Sequence, residues 1–488
     1  MDEARMSIGG ERPPVDPDRA IDVYSPLTGE VIAVVSDATP QQISEAVGAA
    51  QAAYDERWQR TSGLERARLM HRFADLLDEY ADEIGTLESR DNGKLVRETT
   101  SQAHFAARNY RFFAGLADKL HGRTVPMDSW DTFDYTTREP VGVAALITAW
   151  NSPMQLLANK LAPALAAGCT VVIKPSELAP LSTVRIVDLL AEAGFPDGVL
   201  NVVTGGAEAG SALVTDPRLG RISFTGSVPV GQQIARLAAE NLTPVTLELG
   251  GKSANIIFSD ADLDRAVVGA VAGIFAAGGQ TCIAGSRLLV HESIADEIEQ
   301  RLAERVRAIV LGDPSSSTTH MGPVASLGQR DRILSMIEGA KRDGARLVAG
   351  GGTPSDTRGY FVEPTVFADV PLESELAREE VFGPVLAVIR FRTEHEAVEI
   401  ANSTDFGLAA GIWTRDLSRA HRVAREVICG TVWVNTYRQS AAQAPFGGVK
   451  KSGYGRERGI EAIEEYLRTK NVLIDLSDEV RDPFQIRT

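Results

Sequence analysis

Apolar and polar positions along the chain repeat with two different periods, and the switches between them delimit the predicted elements. Thr39-Pro40-Gln41-Gln42 offers a capping hydroxyl, a proline at the first helical position and a glutamine at the third. Ile43, Ala46, Val47 and Ala50 then fall on one face, so a helix begins at Thr39. Leu69, Phe73, Leu76, Tyr80, Ile84 and Leu87 keep helical spacing up to Asn92-Gly93, which predicts a second amphipathic helix stopped by glycine. From 122 to 138, Thr, Val, Trp, Phe and Tyr interleave with polar residues, the pattern of an exposed hairpin arm.

From 141 the pattern becomes regular. Continuous apolar runs predict strands over 141–147, 170–173, 199–203 and 221–224. Helical spacing fills 154–167, 184–193 and 230–239, with a short helix after Gly206. Apolar strands joined through helices indicate a parallel sheet covered on both faces, which binds ligands at the carboxyl ends of its strands. Beyond Gly250-Gly251 the alternation resumes, with strands predicted over 254–258, 287–290, 385–391, 409–413 and 431–434, so a second α/β domain follows. The run 471–475 is again strand-like and, with the arm, would offer edges to a neighbouring subunit.

Composition narrows the partners. With 488 residues, 44% hydrophobic and 24% charged, the chain has material for a large buried core. The net charge of -16 argues against nucleic acid, whose binding needs a cationic surface. The longest weakly polar stretch, 266–279, falls short of the ~18 residues that span a bilayer. Cys169, Cys282 and Cys429 are too few and too far apart for a disulfide framework or a CxxC metal site, and residues 1–14 lack the pattern of a signal peptide. A reducing cytoplasm is the expected location. The histidines show no HExxH spacing, and neither GxxxxGK[ST] nor GxSxG occurs, so no metal site, phosphoryl transfer or serine hydrolysis is expected.

Four loops carry candidate chemistry. Thr148-Ala149-Trp150-Asn151-Ser152-Pro153 follows a strand, where the Asn151 amide would donate to an oxyanion or simply cap the next helix. Lys174-Pro175-Ser176-Glu177 ends the next strand and would grip ribose hydroxyls, or form a surface ion pair. Phe224-Thr225-Gly226-Ser227 leads into a helix, with Gly231 in its first turn; the glycines let backbone amides approach a pyrophosphate, although glycine turns of this kind are common. Gly278-Gly279-Gln280-Thr281-Cys282 sets a cysteine in polar, glycine-rich surroundings and pairs naturally with Glu248-Leu249-Gly250-Gly251-Lys252. A thiolate captures an electrophile, and a carboxylate activates the water that releases it. Cys169 and Cys429 read as buried apolar cysteines.

In this order, and together with Asp22-Val23-Tyr24-Ser25-Pro26-Leu27-Thr28-Gly29, Glu379-Glu380-Val381-Phe382-Gly383-Pro384 and Pro445-Phe446-Gly447-Gly448, the loops resemble the NAD(P)-dependent aldehyde dehydrogenase superfamily over nearly the whole chain. The resemblance implies an α/β fold of two Rossmann-like parallel-sheet domains with a small β oligomerisation arm. The dinucleotide-binding domain would comprise 1–120 and 141–249, the catalytic domain 250–447, and the bridging arm and C-terminal segment 121–140 and 448–488. It implies that Cys282 is the nucleophile, Asn151 and the Cys282 amide the oxyanion hole, and Glu248 the base that hydrolyses the thioester. Thr148, Trp150, Lys174, Ser176, Glu177, Phe224, Thr225, Gly226, Ser227, Gly231, Leu249, Glu380 and Phe382 would hold the coenzyme. Lys160 and Glu457 would relay protons.

Glu177, bidentate to the ribose, would repel a 2′-phosphate and favour NAD, with NADP possible. Ser152, Met154, Asn159, Thr281, Ile283, Arg438 and Ser440 would line the substrate tunnel. Small side chains at 152, 159 and 440, where many relatives carry aromatics, predict a wide, polar tunnel for a larger polar or acidic semialdehyde. The expected partners are an aldehyde and further copies of the chain, as a homodimer or homotetramer, with no metal and no membrane. The competing expectations are a CoA-acylating dehydrogenase, against which Glu248 speaks, and a catalytically silent structural relative.

Overall fold

The computed structural model describes residues 2–355, 358–478 and 484. Two large sheets dominate it. The first runs in the order Gly453–Tyr454, Val245–Glu248, Leu219–Thr225, Val143–Ile147, Thr170–Lys174, Leu200–Val202, parallel throughout except for the antiparallel Gly453–Tyr454 edge. From Val143–Ile147 the chain winds outward to Leu200–Val202, then crosses back to Leu219–Thr225 on the other side. The topological switch point therefore lies between these two central strands, where their carboxyl ends leave a crevice.

The apolar runs form strands because both of their faces are buried. Val143, Ala145 and Ile147 pack into one core under the helices Pro40–Glu56 and Val228–Ala239, while Ala144 and Leu146 enter the opposite core with the helices Gly63–Glu79, Val96–Ala114 and Pro153–Ala167. The predicted capping box is present, with the Gln42 N–H donating to Thr39 Oγ1 at 3.2 Å and the Thr39 N–H to Gln42 Oε1 at 3.0 Å.

The second sheet runs Arg346–Ala349, Thr365–Ala368, Val385–Phe391, Arg287–His291, Ala254–Ile257, Ala409–Trp413, Thr431–Val434, parallel apart from its first strand. The Arg346–Ala349 and Thr365–Ala368 strands were not foreseen, being four residues each at one margin of the sheet.

Two further features differ from expectation. The apolar run from Leu69 to Leu87 is two helices, Gly63–Glu79 and Ala81–Asn92, hinged at Tyr80 with φ -96 and ψ 17. Bonds from the Tyr80 N–H to Leu76 O and from the Ile84 N–H to Tyr80 O carry the helical phase across the hinge, so periodicity alone does not reveal it. The arm strand Thr132–Pro140 pairs over nine residues with Leu467–Asp475 of the same chain, so the two predicted edges meet each other, while Gly453–Tyr454 leaves the C-terminal segment to join the first sheet. Among the described residues no helix is long and apolar enough to cross a membrane.

Candidate active site

A cleft of about 330 Å³ opens at the switch point of the first sheet. Thr148 and Trp150 border it from one central strand and Phe224, Thr225, Gly226 and Ser227 from the other, with Lys174, Ser176 and Glu177 beyond. Val214, Val230, Ile234 and Leu237 add an apolar stretch to its wall. No ion pair joins Lys174 to Glu177 within the described residues; the Lys174 ammonium donates to Pro175 O at 3.3 Å, and burial lowers its pKa. A Cβ on Gly226 would stand 2.3 Å from Phe224 Cζ, so glycine is what lets the ring fold over the turn. Anionic diphosphate at the start of Val228–Ala239, ribose beside Glu177 and a base on the apolar stretch fit these walls.

Four of the expected coenzyme residues stand away from this wall. Gly231 packs its helix tightly against Leu249, since a Cβ on that glycine would fall 2.6 Å from Leu249 Cδ2. Glu380 and Phe382 come from the second sheet's side. Glu380 Oε1 accepts the Gly251 N–H at 2.9 Å, and desolvation pushes the carboxyl up to about 7. Phe382, with φ 55, sets its ring edge-on to Trp150 at 5.2 Å, and Gln329 donates to its carbonyl at 2.8 Å. The Trp150–Phe382 pair joins the two α/β units at the inner end of the cleft.

Beyond that junction lies a second cavity of about 200 Å³, with Cys282, Asn151, Ser152, Asn159, Thr281, Ile283, Arg438 and Ser440 on its wall. Ser152, not Asn151, is the N-cap of Pro153–Ala167, and it makes no side-chain cap bond. The Asn151 amide instead crosses to Gln280 O at 3.0 Å, two residues before the cysteine. Left-handed backbone at Ala277, Gly278 and Gly279 turns the chain toward Cys282, and the Tyr437 hydroxyl donates to Ile283 O at 3.1 Å, tying down the loop's far side. Cys282 is half-buried, and its thiol is pushed up to about 12 by burial first and by the Glu380 and Glu248 carboxylates second. Met154 departs from expectation: it is buried in the helical core with Leu157, Ala158 and Leu161, on the face of its helix opposite the cavity.

Glu248 ends its strand buried, and neither carboxylate oxygen has a hydrogen-bond partner among the described residues. Burial raises its pKa well above the carboxylate range, with the neighbouring Glu457 charge adding to the shift. A Cβ on Gly447 would lie 2.8 Å from Glu248 Oε1, so that glycine makes room for the carboxylate. Behind it, the buried Lys160 ammonium pairs with Glu457 and donates to Ser223 Oγ at 3.2 Å.

Several residues in or directly behind the wall escaped the sequence reading. Gln155 and Leu156 belong to the stripe Ser152, Gln155, Leu156, Asn159, whose helical spacing was a usable signal. Lys94, buried, donates to Ser152 Oγ at 2.9 Å and to Gln102 Oε1 at 2.7 Å. Arg458 also lines the cavity, and nothing local in sequence marks it. Among the described residues no group of three or more His, Cys, Asp or Glu side chains is clustered to hold a metal ion.

The profile of the aldehyde dehydrogenase family matches residues 14–472. The chain is 46% identical over 470 residues to a (Z)-2-((N-methylformamido)methylene)-5-hydroxybutyrolactone dehydrogenase of Acinetobacter baylyi, covering 96% of each chain. It is 47% identical over 457 residues to a betaine aldehyde dehydrogenase of Cereibacter sphaeroides, covering 93% of this chain and 94% of that one. Among solved structures it superposes on betaine aldehyde dehydrogenase of Staphylococcus aureus in complex with NAD+ with a TM-score of 0.97 at 40% identity, covering 99% of this chain and 96% of the other. A thiol and an asparagine amide on one cavity, a switch-point cleft beside it and a match spanning both sheets lead to one assignment: the chain belongs to the aldehyde dehydrogenase family.

Proposed function

We propose that this enzyme oxidises an aldehyde to the carboxylic acid with NAD, using Cys282 as nucleophile and Glu248 as hydrolytic base. The observation that carries the reading is the position of Cys282 and Asn151 on the wall of one cavity, with the preceding residue, Trp150, on the wall of the switch-point cleft. The Cys282 thiol gives up its proton to solvent water, its sulfur adds to the aldehyde carbon, and the resulting oxyanion is held by the Asn151 amide and the Cys282 backbone N–H. Held in the cleft by residues such as Thr148, Trp150, Lys174 and Glu177, a nicotinamide coenzyme would supply the acceptor for the hydride lost from the former aldehyde carbon. Glu248 then takes a proton from the water that attacks the Cys282 thioester, and free acid leaves. The raised pKa of that carboxyl makes it a stronger base once ionised, and its unpartnered oxygens are free to receive the proton. Lys160 and Glu457 stand behind it as a route for that proton to solvent.

Glu177 on the cleft wall supports NAD over NADP, because its carboxylate would meet a 2′-phosphate. The small side chains of Ser152, Asn159 and Ser440 support a substrate larger or more polar than a short alkanal. Self-association through the arm sheet is part of the proposal, since its Phe133, Leu473 and Ile474 are exposed. Three free thiols support a reducing compartment.

The test is rapid-mixing kinetics with an aldehyde panel and both coenzymes. C282A is expected to abolish NADH formation, and E248Q to keep the first-turnover burst while slowing steady-state turnover by about a hundredfold or more. Full turnover in either variant contradicts the assignment, as does product release that requires CoA.

A further inference from the structure

The charge on the wall of the substrate cavity is of one sign. Among the described residues two charged side chains line it, Arg438 and Arg458, and no Asp, Glu or Lys does. The two arginines are not equivalent. Arg438 Nη1 donates to Ala276 O at 3.0 Å and Ala272 O at 3.4 Å, so its charge is set against the carbonyl end of the helix Leu263–Phe275. Arg458 has no such acceptor. It is 7% exposed, its Nη1 donates to the neutral Ser440 hydroxyl, and its guanidinium stacks on Phe446 at 4.5 Å. Its Nε is buried and has no hydrogen-bond partner among the described residues.

The nearby anions do not neutralise Arg458. No carboxylate lies within ion-pairing distance of it among the described residues; Glu457 is taken by Lys160, and burial favours the neutral form of Glu248. A buried guanidinium with unused donors is costly unless an anion meets it. Two structural devices keep it there nonetheless. The Phe446–Glu457 bridge pins its base through reciprocal 2.7 Å backbone bonds, and Arg458 itself is held at φ 59, a left-handed conformation that disfavours a long side chain. The cavity thus presents an organised, unpaired cation on the wall that also bears Cys282.

We propose that Arg458 is a specificity-determining residue whose guanidinium binds a carboxylate on the substrate end remote from the aldehyde, making the substrate class the oxo carboxylic acids. The proposal rests on the dehydrogenase reading above and adds to it the anion that the tunnel recognises. The planar fork matches a carboxylate through two parallel charge-assisted bonds, with Ser440 placed to contribute a third. The same charge repels a quaternary ammonium, so betaine aldehyde, the named substrate of several relatives, is a poor fit here.

The experiment compares full-length protein and its R458Q and R458K variants, with NAD, on 4-oxobutanoate and 5-oxopentanoate against butanal, pentanal, glyceraldehyde and betaine aldehyde. The wild type is expected to favour the oxo acids over alkanals of equal length by about tenfold or more in kcat/KM. R458Q should lose about tenfold or more on the oxo acids, mainly through KM, and change by less than about twofold on the alkanals. R458K should recover part of the loss, keeping the charge without the fork.

Should the glutamine variant not fold, wild-type butanal oxidation in the presence of glutarate provides an independent reading. Competitive inhibition by glutarate but not by its dimethyl ester is expected, and its absence overturns the proposal. Equal losses on oxo acids and alkanals would make Arg458 a structural prop and also overturn it. Alkanals or glyceraldehyde oxidised as well as the oxo acids remove the anion site while leaving the dehydrogenase reading intact. Inactivity on every aldehyde removes both.

Discussion

Cys282 carries its proton at neutral pH. Burial and the flanking Glu380 and Glu248 push the thiol up to about 12, so the neutral form is favoured at every pH below that value. Because the thiolate is the reactive species, reactivity must climb with pH rather than plateau near 7. Alkylation of Cys282 by iodoacetamide, followed by mass spectrometry of its peptide with the C282A variant as control, is expected to accelerate by about tenfold per pH unit from pH 7 to pH 10. A flat profile would mean that the resting sulfur is already ionised. Asn151 illustrates a different lesson at this scale. Read from its own loop it suits a helix cap, and only its bond to Gln280 O directs the amide toward the nucleophile loop.

The loop before Cys282 depends on glycine for two separable reasons. At Gly279, φ is 70 and a Cβ would fall 2.1 Å from Gly383 O, a backbone atom that cannot rotate away. At Gly278, φ is 61 but the nearest atom to a Cβ is Gln280 Nε2 at 3.4 Å. Gly279→Ala should therefore combine left-handed strain with overpacking, costing about 1–3 kcal/mol and displacing the nucleophile. Gly278→Ala should bear the strain alone. Thermal melting and first-turnover NADH bursts check this, and equal effects of the two would contradict it. The helix Pro153–Ala167 divides in the same physical way: Met154, Leu157, Ala158 and Leu161 form its core stripe, and Ser152, Gln155, Leu156 and Asn159 its cavity stripe. Placing Met154 in the tunnel overlooked that periodicity, which was legible from the residues themselves.

For the whole molecule, the arm sheet leaves an apolar cross-strand pair uncovered. Phe133 and Ile474 face each other in register and are 42% and 39% exposed. If a second copy covers this surface, F133E with I474E should lower the mass measured by sedimentation velocity while far-ultraviolet circular dichroism stays unchanged. An unaltered mass would place the interface elsewhere.

Most of both sheets could be read from the sequence, because strands buried on two faces must be continuous runs of Val, Ile, Leu and Ala, and a run needs no distant information to be seen. The loops after those strands were legible too, since parallel sheets put chemistry at their carboxyl ends. What escaped is non-local. The short marginal strands Arg346–Ala349 and Thr365–Ala368 exist through pairing, and the Tyr80 hinge keeps the helical phase it interrupts. Lys94 gains its meaning from Ser152, and Arg458 from Ser440 and Phe446. The amino-acid order determined which groups can react and which strands hold them. Closure of the two sheets decided which charges lose their water and which find no partner, because desolvation depends on neighbours the chain brings together only when folded.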